Sequence, residues 1–372
     1  MTLAVTRRWP SLPHWRQPDA VPIGVDFGAE HLNMLQLMPG ALLPARVQAA
    51  ASLRYPTDRV TLFGQPQELR RLVRSAMLSS GFIGKRIFST MPPGAVRILP
   101  LTVQVNPGQS ETQAITKATR EQLGSAINDA VVDYYHVRGI EADGAERQVL
   151  VAAARHSDVV SYLDAIRGAG LDPVALDIGP AAIARLLAAL HRDDYDQSIV
   201  LINFGVEKSF LTVVWGRRLL LDREIDFCET QLTARLSAAL GLSAPVALAM
   251  LREYGVGGAE RVASTVDATQ TDMSQTLREI LHPEFAQLAE ELSRTQVYVA
   301  SRTRGSLVSQ IYLNGSIVRY PNLSARIREL VTLPVVLLNP FDAFDGSWTQ
   351  PLPLDASLVL AAGLALRGRQ RG

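Results

Sequence analysis

The sequence predicts an α/β protein of two lobes, and three observations carry that reading. Its 372 residues exceed the ~250–300 at which a single hydrophobic core stops growing, and 47% of them are hydrophobic, enough to fill two cores. An apolar strand that ends in a short polar residue, Phe and Gly occurs twice, at Pro22 to Gly28 and at Ser198 to Gly205. Between the two copies lies a segment of different rhythm, ordered β–α–β–β–α, which reads as a small inserted module.

Each element follows from its local pattern. Pro22 to Gly28 is a strand, Ala29-Glu30-His31 a turn, and Leu32 to Leu37 a second strand. Pro66 to Gly81 places Leu69, Leu72, Val73, Ala76 and Met77 at helical spacing. Arg86 to Met91 is a strand stopped by Pro92-Pro93-Gly94. Val96 to Val105 alternates as a strand and Glu111 to Asn128 is a polar-rich helix. Val131 to Val137 is aromatic and β-branched. After a Gly/Asp-rich turn, Glu146 to Ala154 is a strand and Asp158 to Gly168 a helix. Pro180 to Leu190 is an apolar helix.

The second copy runs Ser198 to Gly205, turn Val206 to Ser209, strand Phe210 to Trp215. Gly28 and Gly205 stand 177 positions apart, near half the chain, as an ancient duplication would leave them. Thr230 to Arg252 reads as one helix, stopped by Gly255-Val256-Gly257-Gly258, with a polar linker to about Asp272. Ser274 to Arg304 is a long helix bent or broken near Pro283. Ser309 to Leu313 is a strand meeting Asn314-Gly315-Ser316. Ser324 to Leu330 is helical, Pro334 to Leu338 a strand, and Leu354 to Leu366 a closing helix.

Composition excludes several functions. With 37 basic and 36 acidic residues, the chain lacks the basic field of a nucleic-acid binder. Cys228 is the only cysteine, so neither an intrachain disulfide nor a cysteine zinc site is available, and the six histidines show no metal-ligand spacing. The longest apolar run, Leu358 to Leu366, is about half the ~18–20 residues a membrane span needs. Residues 1–20 have Arg7 and Arg8 but no apolar signal region; with Trp9, Pro10, Trp15 and Pro18 they read as a flexible arm. The expected location is cytoplasmic.

No Walker loop, dinucleotide fingerprint or nucleophile elbow is present. Gly81-x-x-Gly84-Lys85 has loop spacing, and Gly255 to Gly258 reads as a helix stop. What remains is a set of three glycine turns: Asp26/Gly28, Asn203/Gly205 with Lys208, and Gly315. In a two-lobed clamp, paired hairpin turns aim backbone N–H groups at phosphates, a carboxylate before the turn orients Mg²⁺ or water, and a third turn lies against the nucleoside. Each turn alone is more often a plain tight hairpin.

Over about residues 21 to 367 the chain resembles type IV pilus assembly proteins of the PilM type, in the actin-like ATPase superfamily with FtsA. The resemblance rests on Gly24-Val25-Asp26-Phe27-Gly28, Gln148 to Arg155, Ala169 to Pro173 with Asp177, and Asp222-Arg223-Glu224-Ile225. It continues through Leu240-Gly241-Leu242-Ser243, Ile311 to Gly315, Leu338-Asn339-Pro340-Phe341 and Ala361 to Arg367. It implies a two-lobed actin-like (ribonuclease-H-like) fold with an arm at 1–20. The core of lobe 1 is 21–94 with 172–196, carrying an inserted α+β subdomain at 95–171. The core of lobe 2 is 197–229 with 305–372, carrying a mainly helical subdomain at 230–304.

The family pattern also marks departures. Its first phosphate loop follows D-x-G with Ser/Thr and a Lys; here stand Ala29, Glu30 and His31, and Asn33 takes the Lys position. At ~4 Å and an effective dielectric of ~20, a carboxylate such as Glu30 beside a phosphate costs about 4 kcal/mol. Asn203 replaces an Asp, Phe227-Cys228 a Gly-Gly, and Gly315-Ser316 the adenosine-side Gly-Gly. Leu248 and Leu251 stand at acidic and lysine positions that face nucleotide.

The resemblance implies a scaffold under the inner membrane, in a pilus, secretion or adhesin platform. It would bind the cytoplasmic N-terminal peptide of a bitopic PilN-type protein, and other platform components, in a groove near 95–171. Asp26, Gly28, Asn203, Gly205, Lys208 and Gly315 would be a remnant nucleotide site, with no cofactor or weakly bound Mg-ATP and no catalysis. Two alternatives stay open: an active ATPase or kinase using Asp26, with Asp177 or Glu207 ordering water, and a polymerising filament protein. A homo-oligomer is compatible with any of these.

Overall fold

Two five-stranded mixed sheets with the same strand order organise the chain. The computed structural model describes residues 20–40, 44–137, 146–257, 268–303, 305–346, 348, 350–352 and 357–368. The first sheet begins with β1 (Ile23–Phe27), β2 (His31–Leu37) and β3 (Val47–Arg54), followed by α1 (Arg59–Phe63), α2 (Pro66–Ser80) and β4 (Arg86–Thr90). The inserted segment comprises β5 (Arg97–Gln104), α3 (Glu111–Leu123), β6 (Ala130–His136), β7 (Glu146–Arg155) and α4 (His156–Gly168). The chain returns to the first sheet with β8 (Asp172–Asp177) and crosses over through α5 (Gly179–Leu190).

The second sheet repeats the plan with β9 (Ser198–Phe204), β10 (Ser209–Trp215) and β11 (Arg218–Ile225). Four helices follow: α6 (Glu229–Leu240), α7 (Ala244–Tyr254), α8 (Ala268–Ile280) and α9 (His282–Arg302). Then come β12 (Val308–Gly315), α10 (Leu323–Leu330), β13 (Val335–Leu337) and α11 (Val359–Arg367).

The sheets run β3-β2-β1-β4-β8 and β11-β10-β9-β12-β13. In each, the first three strands form an antiparallel meander, and the last two join in parallel beside the first strand. The duplicated hairpin is thus the start of a duplicated sheet. The inserted segment makes a separate antiparallel sheet, β5-β7-β6.

Glycines set how closely the layers approach. A Cβ on Gly24 of β1 would lie 2.1 Å from the Ala361 carbonyl oxygen of α11, and one on Gly363 of α11 would lie 2.0 Å from that of Ala182 in α5. The α5–α11 pair fills the space between the sheets with small residues, and one core cluster takes Leu35, Leu187, Leu201 and Ala362 from both lobes. α4 covers the other face of the first sheet, burying Tyr162 and Ile166 with Phe27 and Val25.

Several elements differ from the sequence expectation. Thr230 to Arg252 is two helices, because Gly241 adopts φ +66 and ends α6; the pair bends by 108°. α3 stops at Leu123, where Gly124 takes φ +57 and a 3₁₀ turn follows. The long helix starts at Ala268 rather than Ser274; it is broken at Leu281 into α8 and α9, as expected near Pro283, which sits in the first turn of α9, where its missing N–H has no partner to lose. The closing helix begins at Val359. β3, β8 and β11 were not anticipated.

Residues 1–19 of the expected arm, the turn before Glu146, most of the linker after Gly257, Arg304 and Leu354 lie outside the described residues. Among the described residues no single helix is long and apolar enough to cross a membrane.

Candidate functional site

Asp26 and Asn203 occupy equivalent places, each one residue before the Phe that ends the first strand of its sheet. Each is held by a short chain of side-chain hydrogen bonds. In the first lobe, Ser52 Oγ donates to Asn33 Oδ1 at 2.7 Å, and Asn33 Nδ2 donates to Asp26 Oδ2 at 3.2 Å. In the second, Ser357 Oγ donates to Asn314 Oδ1 at 3.0 Å, and Asn314 Nδ2 donates to Asn203 Oδ1 at 2.9 Å. Asn203 and Asn314 are register partners on β9 and β12.

Asp26 is 8% exposed, and burial pushes its carboxyl up to about 6, against the smaller opposing pull of the Asn33 amide and the Arg59 charge. Gly28 closes the first turn, its N–H donating to the His31 carbonyl at 3.0 Å. Glu30 stands in this turn, yet Arg54 faces it at 3.7 Å, so its charge is partly answered by a residue that sequence reading did not connect to it.

The second turn is tighter. A Cβ on Gly205 would meet the Lys208 carbonyl oxygen at 2.1 Å, and the Gly205 N–H donates to Ser209 Oγ at 3.1 Å. Lys208 pairs with Glu224 at 2.9 Å. Beside this turn is a cavity of about 280 Å³ lined in part by Glu207, Glu224, Asp226, Cys228 and Thr230. Three carboxylates there oppose an anion. Gly315, at φ +108, presses on Phe204, whose carbonyl oxygen would be 1.9 Å from a Cβ, so its glycine is required by the strand contact itself.

Other expected positions turn inward. Phe227 packs edge-on against Phe285 at 5.0 Å, Cys228 is buried at the start of α6, and Leu251 is fully buried in the second-lobe core. Asp177 is engaged by two guanidiniums, Arg185 at 2.9 Å and Arg367 at 3.0 Å, and is 9% exposed. Among the described residues no group of three or more His, Cys, Asp or Glu side chains is arranged to hold a metal ion.

A second concavity lies between the first sheet's end and α4. Its volume is about 240 Å³, with Phe63, Met91 and Ala95 facing Tyr162, Ala165 and Asp158. Phe63 and Tyr162 stack at 5.6 Å, and the Tyr162 hydroxyl donates to the Thr90 carbonyl at 2.9 Å. The ring of Phe27, the residue after Asp26, meets both edge-on at 5.3 and 6.2 Å. One aromatic cluster therefore joins the wall of this concavity to the Asp26/Gly28 turn. No local pattern marked Phe63 or Tyr162, because they meet only through the fold.

A family model described as type IV pilus assembly protein PilM matches residues 24–369. The chain is similar to a solved structure of a PilM-PilN type IV pilus biogenesis complex, with 21% identity over 95% of this chain and 99% of the other and a TM-score of 0.70. More distant likenesses include the ethanolamine utilization protein EutJ from Carboxydothermus hydrogenoformans, with 14% identity over 94% and 90% of the chains and a TM-score of 0.49. MreB5 of Spiroplasma citri bound to ADP matches at 10% identity over 94% of both chains, with a TM-score of 0.45.

Proposed function

The chain belongs to the PilM family of type IV pilus assembly proteins, and from that premise we propose that it is a scaffold of an inner-membrane assembly platform, binding the cytoplasmic N-terminal segment of a PilN-type membrane protein. The platform is that of a type IV pilus or a related secretion or adhesin system. The observation that carries this reading is the family match itself, which spans both lobes and the inserted segment. The concavity lined by Phe63, Met91, Ala95 and Tyr162 supports it: an apolar lining that includes the Asp158 carboxylate suits a short mixed peptide.

The proposal includes a nucleotide clamp that holds its shape without holding Mg-ATP. The residues present do not fit that ligand. Asp26 has a neutral amide partner where the family pattern has an ammonium, and Lys208 is drawn to Glu224. Asp177, the alternative water-ordering group, is spent on Arg185 and Arg367. No catalytic step is assigned.

Titrating a synthetic N-terminal peptide of a PilN-type protein into the chain tests the first part. Ala95→Trp, which fills the groove, is expected to weaken binding at least about tenfold, roughly 1.4 kcal/mol. Failure of the chain to bind any inner-membrane pilus component overturns the scaffold reading. Calorimetry with Mg-ATP tests the second part: affinity weaker than about millimolar is expected, and a micromolar constant restores the ATPase reading.

A further inference from the structure

We propose that the solvent face of α2 and the turn after it form a docking surface for an anionic lipid bilayer. Residues 65–86 hold five cations, Arg70, Arg71, Arg74, Lys85 and Arg86, against one carboxylate, Glu68, in a chain whose net charge is +1. All five are exposed. Arg71 is paired with Glu68 at 2.6 Å. Arg70, Arg74, Lys85 and Arg86 have no ion pair among the described residues.

Two large aliphatic side chains stand among these cations, Leu78 at 74% and Ile83 at 51% exposure. Arg70, Arg74 and Leu78 recur every four residues, which places them on one stripe of α2, opposite the buried Leu69, Val73 and Ala76. The helix ends at Gly81 in the left-handed region, φ +74, and the chain turns back past Ile83 to Lys85 and Arg86.

That turn is clamped rather than loose. The buried Gln36 side chain accepts from the Ile83 N–H at 2.8 Å and donates to the carbonyls of Ile83 at 2.7 Å and Val21 at 2.8 Å. Ile83 is thereby held outward on a fixed backbone. A Cβ built on Gly84 would lie 3.5 Å from that of Ala20, so Ala20 packs at this turn. That preceding sequence contains Arg7, Arg8, Trp9, Trp15 and Arg16, residue types that favour the headgroup region.

The chemistry selects a bilayer over a protein partner. Protein hot spots are built on aromatic anchors in desolvated pockets, whereas this face offers isolated aliphatic tips within unpaired cations. Such a face matches anionic headgroups over shallow acyl chains. The surface lies on α2, and α2 packs against α4, the helix that lines the peptide groove. Lipid docking does not depend on the peptide reading.

Flotation of the full chain with vesicles tests it. Binding is expected to phosphatidylcholine vesicles carrying about a third phosphatidylglycerol, reversed by salt, and not to phosphatidylcholine alone. Arg70→Gln/Arg74→Gln/Lys85→Gln removes three exposed charges at roughly fivefold each and should weaken binding about a hundredfold. Leu78→Ser/Ile83→Ser should weaken it as well, with less effect on salt dependence. Soluble-peptide affinity of both variants should match that of the unaltered chain, which separates this test from that of the groove. The proposal is overturned if the chain ignores anionic vesicles or if the triple Gln variant binds them unchanged. It also fails if Trp9→Ser/Trp15→Ser abolishes binding while the triple Gln variant does not.

Discussion

Asn33 donates its side-chain amide to Asp26 at 3.2 Å across the β1–β2 hairpin, where the two are register partners. A neutral amide satisfies one lone pair of the buried carboxylate and supplies no charge, so desolvation governs its ionisation. Asp222, bonded by Thr212 Oγ1 at 2.6 Å, is pushed up to about 7 by the same cause.

These raised values fix the sign of a pH dependence. A carboxyl with a higher pKa in the folded chain than in the unfolded one binds its proton more tightly when folded. The contribution is fully present below about pH 4 and is lost as pH rises through about 6 for Asp26 and about 7 for Asp222. Denaturant unfolding should therefore show higher stability near pH 4 than near pH 7.5 from these two groups. Asp26→Asn should stabilise the chain at pH 7.5 by about 3 kcal/mol and change little at pH 4, since Asn33 can flip its amide to face the new one. Equal effects at both pH values would refute the assignment.

Substitutions in the two turns test the proposed absence of Mg-ATP binding. Asn33→Lys alone should pull the Asp26 pKa back down by supplying the missing cation. Glu30→Thr/Asn33→Lys/Asn203→Asp, which rebuilds both turns toward the family pattern, is expected to bind Mg-ATP measurably tighter by calorimetry than the unaltered chain, for which an affinity weaker than about millimolar is expected. If the triple variant stays silent, the acidic cavity of Glu207, Glu224 and Asp226 is the stronger barrier.

The strands that sequence reading found and missed divide on physical grounds. β1, β2, β9 and β10 were legible because apolar runs meet glycine turns. β3 was not, since Val47 to Arg54 includes three consecutive alanines and shows no alternation. β8 begins Asp172-Pro173, which argues against a central strand; it is an edge strand, where a missing N–H is tolerated. Gly241 is not visible as a helix end in the sequence, because Leu240 and Leu242 continue the apolar rhythm on either side. The glycine turns were legible in the sequence, but the side-chain pairings around them were not. Arg54 answers Glu30 and Glu224 takes Lys208 through strand neighbours, and Arg367 reaches Asp177 from the far end of the chain.

That last pairing makes Asp177 structural. Arg185 is 13% exposed and Arg367 26%, and both lose their counter-ion together in Asp177→Ala. Breaking a largely buried pair by removing one partner costs about 3–5 kcal/mol. The expected result is a clear fall in thermal midpoint with peptide affinity unchanged in the protein that remains folded. A stable variant with altered nucleotide chemistry would instead return Asp177 to the clamp.

The close seating of α11 on α5 gives a sharp contrast. In Gly363→Ala the new methyl would sit 2.0 Å from the Ala182 carbonyl oxygen, a backbone atom that cannot rotate away, so α5 and α11 must separate. Overpacking of this kind typically costs about 1–3 kcal/mol, more where the obstacle is backbone. Arg185 Nη1 also donates to the Gly363 carbonyl at 2.8 Å, and separation breaks that bond too. Gly168, the last residue of α4, has nothing within 4 Å of its Cβ position. There the same substitution should be neutral or add up to ~1 kcal/mol, because alanine is the better helix former. Thermal unfolding of the two variants side by side separates loss of inter-helix fit from a general intolerance of glycine replacement. A Gly363→Ala chain as stable as the original would mean that α11 is not seated on α5 as described.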